Sequence, residues 1–278
     1  MGGTGLYAIH ELEIMAEKNV ETPFGKPSAP LVVGRLGSQE VVFLPRHGKH
    51  HELLPNEINF RANIWALKSL GVQRVIAVSA VGSLEEAIAP GELVLPTQYF
   101  DWTKGKRVDT FFGEGLAAHI STAEPTCSVL IAQLKSAGHD VGISIHDRRT
   151  YACVEGPRLG TRAESFFLRD AGCHLVGMTN VPEAFLAREA QLCYCTLAVV
   201  TDYDCWMDDP SQHVSVNQVI ARYKDTLGLV QKVLLKFFAG NFTASTTCHC
   251  SKSLEGAILT QETVLSGEKK RLLDFLQS

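Results

Sequence analysis

The sequence carries little net charge, and this argues against several classes of partner. Its 278 residues have a formal net charge of −4 and an isoelectric point of about 6.2, so it lacks the basic field that attracts nucleic acid. It also lacks a basic leader followed by an apolar core, and no apolar run approaches the roughly 20 residues that span a bilayer. We therefore expect no nucleic-acid partner and no membrane association, and we predict a cytoplasmic protein.

Motifs that bind metals or nucleotides are also missing. The sequence has no His-Glu-x-x-His motif, no pair of Cys-x-x-Cys motifs and no carboxylate cage, and its glycine-rich turns match neither the Walker nor the dinucleotide pattern. Eight cysteines are too few for a disulfide scaffold in a chain of this length. Four of them lie in apolar runs, as small core residues do: Cys153, Cys173, Cys193 and Cys195. We predict no metal site.

Apolar and polar segments alternate in a way that indicates an α/β fold. Hydrophobic residues make up 45% of the chain, which is enough for a sizeable core. Their spacing predicts a hairpin over residues 32–45, helices over 56–70 and 214–238, and a buried strand over 192–200. No repeat or internal linker marks a boundary. We predict a single α/β domain over residues 1–278, in which residues 245–278 form a C-terminal tail and helix.

Two carboxylates follow the strand at 192–200. Asp202 and Asp204 stand on alternate residues, and alternate residues of a strand project to the same face. We therefore expect the two acids to lie together at the carboxyl end of the strand, where α/β proteins place ligands. The alternative is a strand that ends in a solvated acidic turn.

Other predicted strand ends supply a permanent cation and hydroxyl groups. Arg46 and His47 follow the second arm of the hairpin, and a planar guanidinium beside an imidazole that can donate a hydrogen bond suits an oxyanion. The alternative for this pair is a charged surface turn. Ser79 opens a predicted small-residue turn over residues 79–84, and Thr179 precedes a predicted helix. This set of groups suits inorganic phosphate.

Thr4 lies in a glycine-rich turn whose backbone amides could surround an anion. Such a loop normally follows a strand, and here only Met1 precedes it. The leading strand is therefore missing from this chain, or the turn is a flexible end.

Nine short blocks resemble those of the 5'-methylthioadenosine phosphorylases, in the same order and over nearly the whole chain. They are GGTGLY at 2–7, PRHG at 45–48, INFRAN at 58–63, SAVGS at 79–83, EGPR at 155–158, TRAES at 161–165, GMT at 177–179, PE at 182–183 and TDYDCW at 201–206. The resemblance implies a fold like that of the trimeric purine nucleoside phosphorylases, with a central mixed β-sheet flanked by helices. It also implies no cofactor, because inorganic phosphate is a co-substrate.

The resemblance assigns roles residue by residue. It implies that phosphate binds to Thr4, Arg46, His47, Ser79, Ala80 and Thr179. It places Met178 against the ribose, Leu159 and Gly160 at the base, and Asp202 and Asp204 at the adenine edge. Val216 and Val219 would line a methylthio pocket, and His119 would enter from a neighbouring subunit, which implies a homo-oligomer, either a trimer or a dimer of trimers.

A pair of acids makes chemical sense at an adenine. A protonated aspartic acid accepts from the 6-amino group and donates to N7, and this proton lets adenine leave as a neutral base. Phosphate then attacks the anomeric carbon. We therefore expect phosphate-dependent cleavage of S-methyl-5'-thioadenosine to adenine and 5-methylthioribose 1-phosphate.

Two other functions remain open at this point. Leu159 stands where the family often has phenylalanine, which would suit a phosphorylase of methylthioinosine or other 6-oxopurine nucleosides. A non-catalytic nucleoside-binding or redox protein would instead use Cys248-His249-Cys250.

The Cys-x-Cys pair resembles one in some archaeal members of the family, which suggests that a disulfide can form between Cys248 and Cys250, although a reducing cytosol would keep the pair as thiols. A metal is disfavoured there because the motif alone lacks a fourth ligand and suitable spacing.

Overall fold

The computed structural model describes residues 1–2, 12–209, 213–240 and 248–278. Within these ranges, ten strands run in chain order as β1 (Glu13–Lys18), β2 (Leu31–Leu36), β3 (Gln39–Phe43), β4 (Arg74–Ser83), β5 (Leu93–Leu95), β6 (Gln98–Trp102), β7 (Ile145–Asp147), β8 (Thr150–Val154), β9 (Leu175–Gly177) and β10 (Cys193–Asp202). The helices are α1 (Phe60–Ser69), α2 (Ser128–Asp140), α3 (Arg162–Asp170), α4 (Asn180–Glu189), α5 (Val216–Phe238) and α6 (Gly267–Gln277).

A seven-stranded mixed sheet forms the centre of the molecule. Its order is β6-β8-β9-β4-β10-β5-β7. β4 and β10 are parallel neighbours, whereas β9 is antiparallel to β4 and β5 is antiparallel to β10. Helices α1, α4 and α6 contribute to the core on one face, and α2 and α5 contribute to a second core cluster that includes much of β10. The predicted single α/β domain with a mixed sheet flanked by helices is confirmed.

The predicted hairpin is present as β2 and β3, which belong to a separate antiparallel sheet with β1. The predicted turn at residues 79–84 is wrong, because β4 continues as a strand through Ser83. Pairing explains the difference. β10 extends the parallel ladder as far as Gly82, and β9 pairs with Gly82 and Ser83, so tertiary hydrogen bonds hold small residues in an extended form that their local propensity does not favour.

Side-chain caps set the beginnings of several helices. The predicted helix at 56–70 begins only at Phe60, because the Asn59 side chain accepts a hydrogen bond from the Ala62 amide and caps the helix there. Thr161 and Glu164 form a reciprocal capping box on α3. The helix predicted at 214–238 is confirmed as α5, with Ser215 as its cap.

The segment 248–278 packs back onto the domain. Leu254, Leu272 and Leu276 are buried in the core cluster that contains α1 and α4. The Ala257 carbonyl accepts a hydrogen bond from the His119 amide at 2.8 Å. In the described ranges, no helix is long and apolar enough to cross a membrane.

Candidate active site

The two strand-end acids lie together, although not in the way that strand alternation predicts. β10 ends at Asp202, and Asp204 lies in the following turn with φ of +52°. The Asp204 amide donates a hydrogen bond to Oδ1 of Asp202 at 2.8 Å, and the Thr201 hydroxyl donates to Oδ2 at 2.6 Å. A local turn, rather than a shared strand face, therefore holds the carboxyls next to each other.

Both acids are buried, with 7% and 6% of their surfaces exposed, so the alternative of a solvated acidic turn is wrong. Burial raises the pKa of Asp202 to about 6, with a smaller contribution from the neighbouring charge of Asp204, against the lowering effect of its two hydrogen bonds. Burial also raises the pKa of Asp204. The pair thus contains an acid that can hold a proton near neutral pH.

Two glycines leave room for these carboxyls. A Cβ on Gly82 of β4 would lie 2.8 Å from Oδ1 of Asp202 and 3.3 Å from Cβ of Asp204. A Cβ on Gly160 would lie 3.7 Å from Oδ2 of Asp204, which places this predicted base-site residue beside the acid pair. A side chain at residue 82 would therefore make the Asp202 carboxylate move.

Arg46 is buried and held by an ion pair that the sequence analysis missed. Its Nε and Nη2 each donate to the Glu183 carboxylate at 2.7 Å, and Nη1 donates to the Val78 carbonyl at 3.2 Å. Burial is the largest single influence and lowers the pKa of Arg46, but the charge and the hydrogen bonds of Glu183, with smaller contributions from Tyr194 and Tyr151, together outweigh it and raise the pKa above its usual range. Arginine has five N–H donors, and three of them are used by these bonds, so two have no partner among the residues that the structure describes.

Glu183 belongs to a polar network inside the protein. The Tyr194 hydroxyl donates to Oε1 of Glu183 at 2.8 Å, and Asn180 donates to the Tyr194 oxygen at 2.7 Å. A permanent cation is thus oriented by a fully buried carboxylate. The only signal in the sequence was its position directly after Pro182, in one of the blocks that resemble the family.

The sequence predicts that His47 donates a hydrogen bond to an oxyanion, but its hydrogen bonds in the structure indicate the opposite role. Its Nδ1 lies 2.9 Å from the Leu53 carbonyl oxygen, which can only accept, so the Nδ1 proton is used in this bond. Burial lowers the pKa of His47 to about 4, and the charge of Arg46 contributes. The neutral ring therefore presents Nε2 as an acceptor, so toward a protonated phosphate His47 would accept rather than donate.

The predicted hydroxyl ligands lie near Tyr151, Ser79 on β4 and Thr179 between β9 and α4. Ser79 and Thr179 are both buried, and the Ser79 hydroxyl lies 3.5 Å from that of Tyr151. Ala80 follows Ser79 on β4 and is half-buried. Thr179 precedes α4 and makes no capping bond with its own side chain. Thr4 lies outside the described residues.

Arg107 positions the Met178 loop and was not singled out from the sequence. Its Nη1 donates to the Met178 carbonyl at 2.8 Å and to the Val181 carbonyl at 2.7 Å, and its Nη2 donates to the Glu155 carbonyl at 2.9 Å. Met178 also packs closely on Gly156, where a Cβ would lie 2.6 Å from its sulfur. One guanidinium therefore joins the loops after β8 and β9.

The remaining predicted residues lie further out. Leu159 is half-buried, His119 is exposed, and Val216 and Val219 occupy the exposed beginning of α5. A cavity of about 240 Å³ lies between Asp202 and α5. Its helical lining consists of Gln218, Ala221, Arg222 and Asp225, and neither valine is among its lining residues.

The residues predicted to bind phosphate and those predicted to bind the base are connected through β4. In the parallel ladder, Ser79 stands opposite Ala198 and Gly82 stands opposite Asp202. Three residues of a strand span about 10 Å. The polar groups around Ser79 and the acid pair therefore lie at two points along one edge of the sheet.

Among the described residues, the only close group of potential metal ligands consists of four cysteines, and it lies at the opposite end of β10, about 30 Å away.

The mixed sheet, with buried polar groups at the ends of its strands, defines an α/β protein. The family described as the phosphorylase superfamily matches residues 1–239. The chain belongs to this superfamily.

Relatives and solved structures are similar over most of the chain. An S-methyl-5'-thioadenosine phosphorylase of Geobacter sulfurreducens is 45% identical, with 99% of this chain and 96% of the relative covered. A methylthioadenosine phosphorylase from an antarctic soil metagenomic library has a TM-score of 0.92 at 41% identity, with 99% and 96% covered. The Schistosoma mansoni enzyme in complex with adenine has a TM-score of 0.82 at 38% identity, with 86% and 89% covered. The family resemblance of the nine blocks is confirmed.

Proposed function

We propose that this protein is a pentosyltransferase that cleaves S-methyl-5'-thioadenosine with inorganic phosphate, yielding adenine and 5-methylthioribose 1-phosphate. The observation that carries this proposal is the buried pair of Asp202 and Asp204, in which burial raises the pKa of Asp202 to about 6. The relatives named above have this activity in their names, and one neighbour is described in complex with adenine.

Asp202 acts as the general acid in this proposal. Protonated Asp202 donates to N7 of adenine and accepts from the 6-amino group, so the base leaves neutral when the glycosidic bond breaks. The Thr201 hydroxyl and the Asp204 amide already occupy one lone pair on each Asp202 oxygen. These bonds hold the carboxyl in one orientation, and each oxygen keeps a second position for the base.

Phosphate binds at the other half of the site. Arg46, Ser79, Ala80 and Thr179 supply donors, and the neutral Nε2 of His47 accepts a hydrogen bond from a protonated phosphate oxygen. Arg46 cannot swing away, because Glu183 holds it through two hydrogen bonds. A ribosyl group fits between phosphate and base, since the two halves are about 10 Å apart along β4. Thr4 would add a hydroxyl, and no bound cofactor takes part in this reaction.

We propose further that the enzyme works as a homo-oligomer. Phe166 and Phe167 are about half exposed on α3, and Val216 is 61% exposed at the start of α5. Apolar groups of this size suit an interface between subunits. His119 is exposed and would reach the methylthio pocket of a neighbouring subunit, whose valines Val216 and Val219 lie near solvent in the isolated chain. Light scattering coupled to size exclusion should show a trimer or a dimer of trimers.

The direct test measures base release from methylthioadenosine, adenosine, methylthioinosine and inosine, each with and without phosphate. We expect release from methylthioadenosine only with phosphate, together with formation of the sugar 1-phosphate. Equal release in phosphate-free buffer would identify a hydrolase and refute the proposal. A preference for methylthioinosine would favour the 6-oxopurine alternative, and inertness toward all four nucleosides would favour a binding protein.

A further inference from the structure

Four cysteines from three separate parts of the sequence meet at one point. Cys127 precedes α2, Cys193 begins β10, and Cys248 and Cys250 belong to the C-terminal segment. Their four sulfurs all lie within 4.8 Å of one another, and the sulfurs of Cys193 and Cys248 are 3.6 Å apart. All four thiols are free. The expectation that Cys248-His249-Cys250 lacks further ligands does not hold, because the fold supplies Cys127 and Cys193.

We propose that Cys127, Cys193, Cys248 and Cys250 bind one Zn²⁺ in a closed, structural four-cysteine site. A tetrahedral zinc with bonds of about 2.3 Å places its sulfurs about 3.8 Å apart. The separation of 3.6 Å between the sulfurs of Cys193 and Cys248 is already close to this value, and no separation exceeds it by more than about 1 Å. On binding, each of the four thiols loses its proton to solvent, and the zinc keeps its oxidation state.

The surroundings favour thiolates bound to a metal. Cys127 is the N-cap residue of α2, so the positive end of a 13-residue helix faces its sulfur. The Arg188 guanidinium lies 3.9 Å from the sulfur of Cys250 and compensates part of the net negative charge of a four-thiolate site. Cys127 and Cys250 are buried, and the other two are half-buried. Four protein ligands leave no open position, so this site would not be catalytic.

The zinc would attach the C-terminal segment to the sheet. Cys250 is followed by Ser253, whose hydroxyl bonds to the Arg188 carbonyl, and then by Ala257, whose carbonyl accepts from the His119 amide. The metal would therefore stabilise the backbone that carries His119. This last link depends on the proposed role of His119 in a neighbouring subunit, whereas the metal site itself does not.

The test uses the whole protein, prepared under reducing conditions with Zn²⁺ supplied. We expect elemental analysis to find one zinc per chain. Replacement by Co²⁺ should give the thiolate-to-metal charge-transfer band and the intense visible bands of tetrahedral cobalt. The C248S and C250S variants should lose both the metal and these bands. The control is C195A, because Cys195 is a buried cysteine two residues from Cys193 and lies outside the cluster; it should keep one metal per chain.

Stability provides a second readout that does not depend on activity. A chelator should lower the thermal midpoint of the wild-type protein. It should leave the thermal midpoint of C248S unchanged, because this variant binds no zinc. The proposal is overturned if the reduced wild type binds neither Zn²⁺ nor Co²⁺, or if C248S and C250S retain the metal. It is also overturned if peptide mapping without reductant finds these cysteines paired as disulfides in protein isolated from its cell.

Discussion

The two halves of the proposed active site are built differently. The phosphate half is deep in the molecule, where Arg46, Glu183, Tyr194 and Asn180 form a connected buried network. The base half combines the buried acid pair with loops and helix ends that are partly open, among them Leu159, Val216 and Val219. Phosphate is the same for every nucleoside, whereas base and 5'-substituent vary. We infer that the phosphate half is rigid before substrate binds and that specificity arises in the more open half.

The largest expected effect is on the acid pair. Asp202→Asn keeps the size and much of the hydrogen bonding of the side chain but removes the proton for N7, so turnover of methylthioadenosine should fall about 10²- to 10⁴-fold with little change in binding. Activity toward 6-oxopurine nucleosides should fall less, because an amide can donate to their acceptors. Steady-state kinetics checks this, with the fully exposed Asp208 replaced by asparagine as control. An equal loss with both classes of nucleoside would make Asp202 structural.

The second prediction concerns the rigidity of the phosphate half. Glu183→Ala leaves Arg46 buried without its partner, so the free energy of unfolding should fall by about 3–5 kcal/mol. Denaturant titration measures this change. Glu17→Ala breaks an exposed ion pair with Lys49 and should cost less than about 1 kcal/mol. Similar losses in the two variants would contradict a preorganised phosphate half.

Gly82→Ala tests how tightly β4 packs against the Asp202 carboxyl in the base half. The added Cβ would lie 2.8 Å from Oδ1 of Asp202, so the carboxyl must move, and a shift of about 1 Å can reduce turnover by about 10²-fold. The control is Gly228→Ala in α5, where a Cβ meets nothing within 4 Å. It should leave turnover unchanged. Turnover of Gly82→Ala at the wild-type level would show that the acid does not need its present position.

The pH dependence should report the acid of the base half. Burial raises the pKa of Asp202 to about 6, and only the protonated form donates to N7. At saturating phosphate, kcat/KM for methylthioadenosine should therefore fall as pH rises above about 6, by up to tenfold per pH unit. In Asp202→Asn this decline should disappear. A wild-type profile that stays flat from pH 6 to 8 would contradict the assignment.

The smallest effect is expected at the open edge of the site. Val219→Ala should reduce the preference for methylthioadenosine over adenosine by about fivefold to tenfold. Loss of methyl groups from a hydrophobic pocket costs about 1–3 kcal/mol, and the lower end of this range applies because Val219 lies at the partly open edge of the site. We expect this change in substrate preference only in the oligomer, in which a neighbouring subunit covers the open edge at Val219. Val264→Ala, at an exposed position of the C-terminal segment, is the control. An unchanged preference would remove Val219 from the methylthio pocket.

Periodicity and local chemistry in the sequence were sufficient for the α/β class, the hairpin of β2 and β3, the long helix α5 and the placing of Asp202 at the end of a buried strand. These features depend on residues close in sequence. The nine blocks that resemble the family added candidate residues such as Arg46 and Met178, because short motifs record the contacts of a site even when the fold is unknown.

Only the tertiary structure decided which groups meet and in what state. Neighbouring strands extended β4 through Ser83, and a turn with a left-handed residue brought Asp204 to Asp202. Arg46 and Glu183 form an ion pair although they lie 137 residues apart along the chain. Four cysteines from three distant segments lie together in the folded chain. Burial then raised the pKa of Asp202 and lowered that of His47. Such contacts have no local signature, because desolvation and long-range pairing depend on where the folded chain passes and not on which residues are adjacent in sequence.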